Sequence, residues 1–159
     1  RLLGGSPAQA PTESAEVRAL VAPGIDVLAR AQSPGLLERW AITDGELDAL
    51  VAVAAARELD LVLLNIPLDY VYDGEHFERV LAHHGWSASD FDLDAVSTRL
   101  ERLDRQPGVH VVDLHRILRA DPPAELLFFS LNKHFNEAGH TRAAEAIAER
   151  VIAEGLLAN

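Results

Sequence analysis

Residues 61–67, Leu-Val-Leu-Leu-Asn-Ile-Pro, and residues 109–114, Val-His-Val-Val-Asp-Leu, decide the fold. Each segment is a short and nearly continuous apolar run, and Pro67 stops the first one. Such runs are typical of strands that are buried on both faces, as in a parallel sheet. The sequence therefore predicts one strand at residues 61–66 and another at residues 109–114.

Helical patterns surround both predicted strands. Thr43 and Glu46 have the spacing of a capping box, which predicts a helix from residue 43 to about residue 58. Its apolar face comprises Leu47, Leu50, Val51 and Ala54. Between the strands, the patterns predict a helix over residues 73–83, capped by Asp73, and a second helix over residues 94–106.

The last third of the chain predicts three further elements. A short helix over residues 115–119 is followed by a brief third strand at residues 127–129. Asn136 then caps a long final helix that runs to about residue 154. The apolar stripe of that helix is predicted to be Ala144, Ile147, Val151 and Ile152.

The alternation of helices and strands predicts the α/β class, with helices layered on a parallel sheet. Free-standing domains of this type usually have about five strands, so two or three strands indicate part of a flavodoxin-like, three-layer α/β/α fold. We assign residues 1–39, rich in Pro, Gly and Ala, to a loosely ordered N-terminal segment. Residues 40–159 are assigned to the domain itself.

The composition disfavours several classes of partner. The 159 residues include 14 Lys and Arg against 25 Asp and Glu, a formal net charge of −11 that repels nucleic acid and anionic lipid. No apolar run approaches the roughly 20 residues needed to span a bilayer, so we expect no membrane insertion. The chain has no cysteine, which excludes disulfides and thiol chemistry. It begins at Arg1, and we expect an upstream segment.

The stretch that carries chemistry is residues 132–140, Asn-Lys-His-Phe-Asn-Glu-Ala-Gly-His, immediately ahead of the final helix. His134 lies in a loop between a predicted strand and a capped helix. A histidine in that position is accessible to solvent and is held by rigid elements, as a general base requires. His140 falls in the first turn of the helix, where we expect a structural role.

This stretch resembles the terminal block of SGNH (GDSL-type) hydrolases, which in many bacterial members has the pattern Asp-x-His-Trp/Phe-Asn-x-x-Gly-His before an Ala-rich helix. The resemblance covers about residues 40–155. It implies that a Ser attacks an acyl ester while His134 takes its proton as general base. It also implies a small acyl ester or an O-acetylated carbohydrate as substrate, with no cofactor and no metal ion.

The chain departs from the family pattern at two points. No Gly-Asp-Ser block is present, and the nearest string is Gly4-Gly5-Ser6, which no predicted strand precedes. Asn132 stands where the family has the Asp that orients the catalytic His, and the equivalent change costs ~10⁴ in kcat in serine proteases. We therefore expect this chain alone to be inactive and the nucleophile to come from an upstream segment. A partial sheet exposes an unpaired strand edge, so a homodimer partner is also expected. The alternative is a non-catalytic SGNH-like domain that binds a carbohydrate or a protein.

The remaining polar residues are interpreted as structural. His76 and His83 share one helical face, but no third ligand has metal-site spacing. Asp69 and Lys133 are expected to be solvated. Asn65 is expected to hydrogen-bond to a neighbouring loop. Asp113 is expected to serve as a loop or helix-cap ligand.

Overall fold

A computed structural model describes residues 24–129 and 133–157 of the chain. Two parallel strands, β1 (Leu61–Asn65) and β2 (Val109–Asp113), form its sheet. Their register places Leu61 opposite Val109 and Asn65 opposite Asp113. Both strands predicted from the apolar runs are confirmed, and each ends one residue before its predicted boundary, at Asn65 and at Asp113.

Five α-helices accompany the two strands within the described residues, and the order predicted from the sequence is confirmed. α2 begins after the cap residue Asp73 and ends at Gly85, which has the left-handed conformation that favours glycine (φ 69°). The predicted cap Asn136 is confirmed too. The helices are α1 (Pro34–Ala56), α2 (Gly74–His84), α3 (Ala95–Asp104), α4 (Leu114–Ala120) and α5 (Glu137–Ala153).

Helices cover both faces of the sheet. Alternate side chains of each strand point to opposite faces, so each strand contributes to two clusters. One face packs against α1 and α3, in a cluster that includes Val51, Leu61, Leu63, Leu103 and Val109. The other face packs against α5, in a cluster that includes Val62, Leu64, Val112, Ala143 and Ala146. The chain is therefore a mixed α/β protein, as predicted.

A third cluster of buried side chains joins residues 24–28 to α2. It buries Ile25, Leu28, Tyr70, Val71, Phe77, Val80, Leu81 and Phe91. Tyr70 and Val71 belong to the segment that leaves β1, residues 66–72, which we call the β1 exit. The β1 exit is therefore fixed by a core of its own, although none of its residues is in a helix or strand.

Three predicted features are wrong. α1 starts at Pro34 behind the cap residue Ser33, and Thr43 lies inside the helix, where its hydroxyl donates to the Arg39 carbonyl. The predicted third strand forms only an antiparallel bridge between Phe128 and Phe135, and it does not join the sheet. In α5, Ala144 and Ile152 are exposed, whereas Gly139, Ala143 and Ala146 are buried.

Candidate functional site

The carboxyl ends of β1 and β2 hold a set of polar side chains, which we call the strand end: Asn65, Ser97 and Asp113. The Asn65 amide donates to Asp113 Oδ1 at 2.8 Å and lies 3.4 Å from Ser97 Oγ. Asp113 also accepts from the Arg116 amide at 3.4 Å and so caps α4. The prediction that Asp113 caps a helix is confirmed. Asn65 is hydrogen-bonded as expected, but its partners lie in β2 and α3 rather than in a neighbouring loop.

His134 lies on one of two paired arms, residues 127–129 and 133–136. The Phe129 amide donates to the His134 carbonyl at 2.9 Å, and the Asn136 amide donates to the Leu127 carbonyl at 3.0 Å. His134 itself is exposed, whereas Phe135 next to it is buried. The arm therefore keeps its backbone fixed and turns one imidazole toward solvent, which is the placement a general base needs.

Asn136 joins the arms to α5. Its side-chain oxygen accepts from the Gly139 amide at 3.0 Å, and its side-chain nitrogen donates to the Leu126 carbonyl at 2.6 Å. Gly139 makes this contact possible, because a Cβ there would lie 2.2 Å from the Leu127 carbonyl oxygen. The Asn-x-x-Gly part of the sequence block thus has a packing reason, which is the close approach of α5 to the first arm.

Two contacts tie the arms to the β1 exit. Lys133 Nζ lies 2.7 Å from Asp69 Oδ2, and both side chains are largely buried. Tyr72 stacks on Phe128 with 5.9 Å between ring centroids, and its hydroxyl accepts from the Leu127 amide at 3.5 Å. The expectation that Asp69 and Lys133 are solvated is therefore wrong, because each provides the countercharge that lets the other be buried.

The two tyrosines of the β1 exit lie in surroundings that disfavour their ionised forms. Burial, with the negative charge of Asp69 as a second cause, raises the pKa of Tyr70 far above its ordinary value. Burial also raises the pKa of Tyr72, and the hydrogen bond from Leu127 only partly offsets this. Both phenols are therefore neutral at physiological pH and serve packing and hydrogen bonding rather than proton transfer.

His115, at the start of α4, is a buried titratable group that the sequence did not single out. It is 3% exposed, and its Nε2 lies 3.8 Å from Asp94 Oδ1. Burial, helped by the positive charge of Arg119, lowers its pKa, while Asp113 and Asp94 act in the opposite direction. No local pattern could have identified it, because its burial arises from the docking of α4 beside the strand end.

The other candidate residues lie away from the arms, pack against them or fall outside the described ranges. His83 and His84 are in edge contact, and His84 stacks on Trp86. His140 packs its ring against the edge of Phe135, in keeping with a structural role. Across residues 24–129 and 133–157, no group of three or more His, Cys, Asp or Glu side chains could hold a metal ion. Asn132 and Ser6 lie outside the described residues.

A groove of about 410 Å³ opens beside the arms, between residues 123–127 and the first turns of α5. Its lining combines carboxylates with a hydroxyl and a guanidinium: Glu125, Glu137, Thr141, Arg142 and Glu145. Among the described helices, none has the length and apolar character needed to cross a membrane.

Comparisons with protein-family models, with curated proteins and with solved structures find no match to this chain. The candidate site is thus defined by its own geometry: an exposed imidazole on a braced arm next to the segment that leaves a parallel strand.

Proposed function

We propose that this chain carries the histidine-bearing part of an SGNH-type ester hydrolase or O-acyltransferase, built on a flavodoxin-like fold. The substrate would be a small acyl ester, for example an O-acetylated carbohydrate. The observation that supports the proposal is the bracing of the His134 arm, which α5 and the β1 exit hold from two sides. Ligands of parallel α/β sheets bind near the carboxyl ends of strands, and the β1 exit leaves such an end.

In the proposed reaction, a Ser hydroxyl attacks the ester carbonyl while His134 accepts its proton. The alcohol then leaves with that proton, and the acyl group stays on the Ser as an acyl-enzyme. Water or an acceptor hydroxyl then takes the acyl group and frees the Ser. Asn132 would orient the imidazole through its amide oxygen, but an amide cannot stabilise the imidazolium by charge. The sequence has no Gly-Asp-Ser block, so the proposal requires a nucleophile from an upstream segment of the same protein.

A second candidate is a non-catalytic domain that binds a carbohydrate. Asn132 and the missing nucleophile block favour it, as does the polar groove beside the arms. The carboxylates, hydroxyl and guanidinium of that groove suit the hydroxyl groups of a sugar, since polar groups fix the orientation of a ligand in its site. On this proposal His134 contributes a hydrogen bond rather than proton transfer.

The two candidates differ in how the protein reacts with a fluorophosphonate, a probe that labels activated serines. We would measure the intact mass of the protein from its native host before and after treatment. The hydrolase proposal predicts a parent mass well above 17.3 kDa and one covalent adduct. A parent of 17.3 kDa that never gains an adduct would exclude the serine enzyme and favour the binding domain.

Variants of the same full-length protein sharpen the test. His134→Gln should abolish labelling, while His140→Gln, in the same sequence block, should leave it intact. Asn132→Asp restores the family's orienting carboxylate and should raise the labelling rate, by up to ~10⁴-fold if the serine-protease precedent applies. Equal labelling of all three variants would remove His134 from the chemistry.

A further inference from the structure

Lys133, the residue before His134, has a backbone conformation that L-amino acids rarely adopt. Its φ is 60°, in the left-handed region. Glu58 is the other non-glycine residue with a positive φ in the described part of the chain. The left-handed conformation brings Cβ close to the following carbonyl, so an ordinary side chain there is disfavoured unless the surroundings hold it. Something must therefore hold residue 133.

The ion pair with Asp69 is a suitable restraint. The Lys133 side chain is 16% exposed and that of Asp69 is 8% exposed, with 2.7 Å between Nζ and Oδ2. A close and buried pair loses much when one partner is removed, because the other charge is then left without compensation. Asp69 is in turn next to Tyr70, which is completely buried in the core of the β1 exit. The anchor end of the pair is thus immobile.

His134 lies between this anchored residue and a second fixed point. On its other side, Phe135 is buried and bridges to Phe128. The carbonyl of His134 accepts from the Phe129 amide, and the Lys133 amide donates to the Phe129 carbonyl at 3.2 Å. A change of φ at residue 133 would rotate the peptide that joins it to His134 and would strain these bonds. The direction of the imidazole therefore depends on the conformation of Lys133.

We propose that Asp69 and Lys133 are positioning residues, whose ion pair holds residue 133 in the left-handed conformation and thereby sets the direction in which His134 is presented. The proposal rests on the proposed function only for what His134 does once it is positioned. Neither residue needs to touch a substrate.

The test depends on two double variants that differ by one methyl group at residue 133. Asp69→Asn removes the ion pair, so we expect the His134 ring signals to shift in NMR spectra and the Phe129 amide to exchange roughly tenfold faster. Adding Lys133→Gly to Asp69→Asn should restore both, because glycine adopts a positive φ without cost. Adding Lys133→Ala should not restore them. The two double variants lack the same charges, so the difference between them isolates the backbone.

The exposed pair Arg79–Glu75, at 3.6 Å within α2, provides the control, and Glu75→Gln should change neither signal. Equal behaviour of the two double variants would overturn the proposal, as would an unchanged His134 environment in Asp69→Asn. A uniform rise in amide exchange throughout the protein would overturn it too, since that is the effect of general destabilisation. These readouts need no substrate, so a protein that resists fluorophosphonate would refute the hydrolase while leaving the positioning result unaffected.

Discussion

The strand end and the paired arms both lie near the point where the chain leaves β1, but they place their polar side chains differently. At the strand end, Asn65, Ser97 and Asp113 bond to one another, and Asn65 is only 8% exposed. On the second arm, Lys133 and Phe135 are turned inward, and His134 between them is exposed. A buried polar group that is hydrogen-bonded to its neighbours supports the fold, whereas an exposed histidine on a fixed backbone has the placement that a general base requires.

The largest effect on stability should come from Gly139→Ala, which places a methyl group against both arms. The added Cβ would lie 2.2 Å from the Leu127 carbonyl oxygen and 2.5 Å from Phe135 Cδ1, so α5 must move away from the first arm. We expect a loss of about 3 kcal/mol in the free energy of unfolding, the upper part of the usual range for overpacking. Urea denaturation measures this loss. The His134 imidazole should also react at a changed rate with diethylpyrocarbonate, since its arm is displaced.

Gly45→Ala is the matched control, because nothing lies within 4 Å of the Cβ it would add to the exposed middle of α1. It should be neutral or should stabilise the protein by up to about 1 kcal/mol, the helix-propensity difference between the two residues. If Gly139→Ala were equally harmless, there would have to be room for a Cβ between α5 and the Leu127 carbonyl oxygen.

A smaller loss, confined to the sheet, is expected from Asn65→Ala. The substitution removes the amide that donates to Asp113 and leaves a partly buried carboxylate short of one donor. We expect a loss of about 2 kcal/mol in the free energy of unfolding, typical of a broken buried hydrogen bond with an unsatisfied partner. Urea denaturation again provides the measurement.

The rate at which diethylpyrocarbonate modifies His134 distinguishes the two regions. Asn65→Ala should leave the rate of His134 modification unchanged, in contrast to Gly139→Ala. Ser97→Ala, which removes only the longer contact of 3.4 Å, should cost less than Asn65→Ala. An altered His134 reactivity in Asn65→Ala would show that the strand end and the arms form one coupled unit.

The sequence predicted those parts of the fold whose cause is local. The apolar runs of β1 and β2 and the caps Asp73 and Asn136 were identified correctly, because each is a property of a few consecutive residues. The start of α1 was misplaced because Thr43 and Glu46 have the spacing of a capping box inside an uninterrupted helix. Ser33 and Pro34, the actual cap and first residue, form an equally good signal, and this cap lies ten residues before Thr43.

The misassigned stripe of α5 and the Asp69–Lys133 pair have non-local causes. Periodicity predicted that Ile152 would be buried, but it is 69% exposed, and the smaller Ala143 and Ala146 are buried instead. The close approach at Gly139 selects this small-residue face, and a pattern of apolar spacing cannot foresee such an approach. Asp69 and Lys133 are 64 residues apart in sequence, so only the folded chain brings them together. His134 is a candidate because its block has a recognisable local pattern, and its role stays a prediction.

The smallest effect concerns pH and the buried histidine that lies beside the strand end, His115. The pKa of His115 is lowered mainly by burial, so the unfolded chain binds its proton more readily than the folded one. Stability should therefore fall as the pH drops below about 6.5, the ordinary value for histidine, and should level off once the folded state is protonated too. His115→Gln should flatten this part of the curve of unfolding free energy against pH. A curve that His115→Gln left unchanged would mean that folding is not linked to the protonation of this buried histidine.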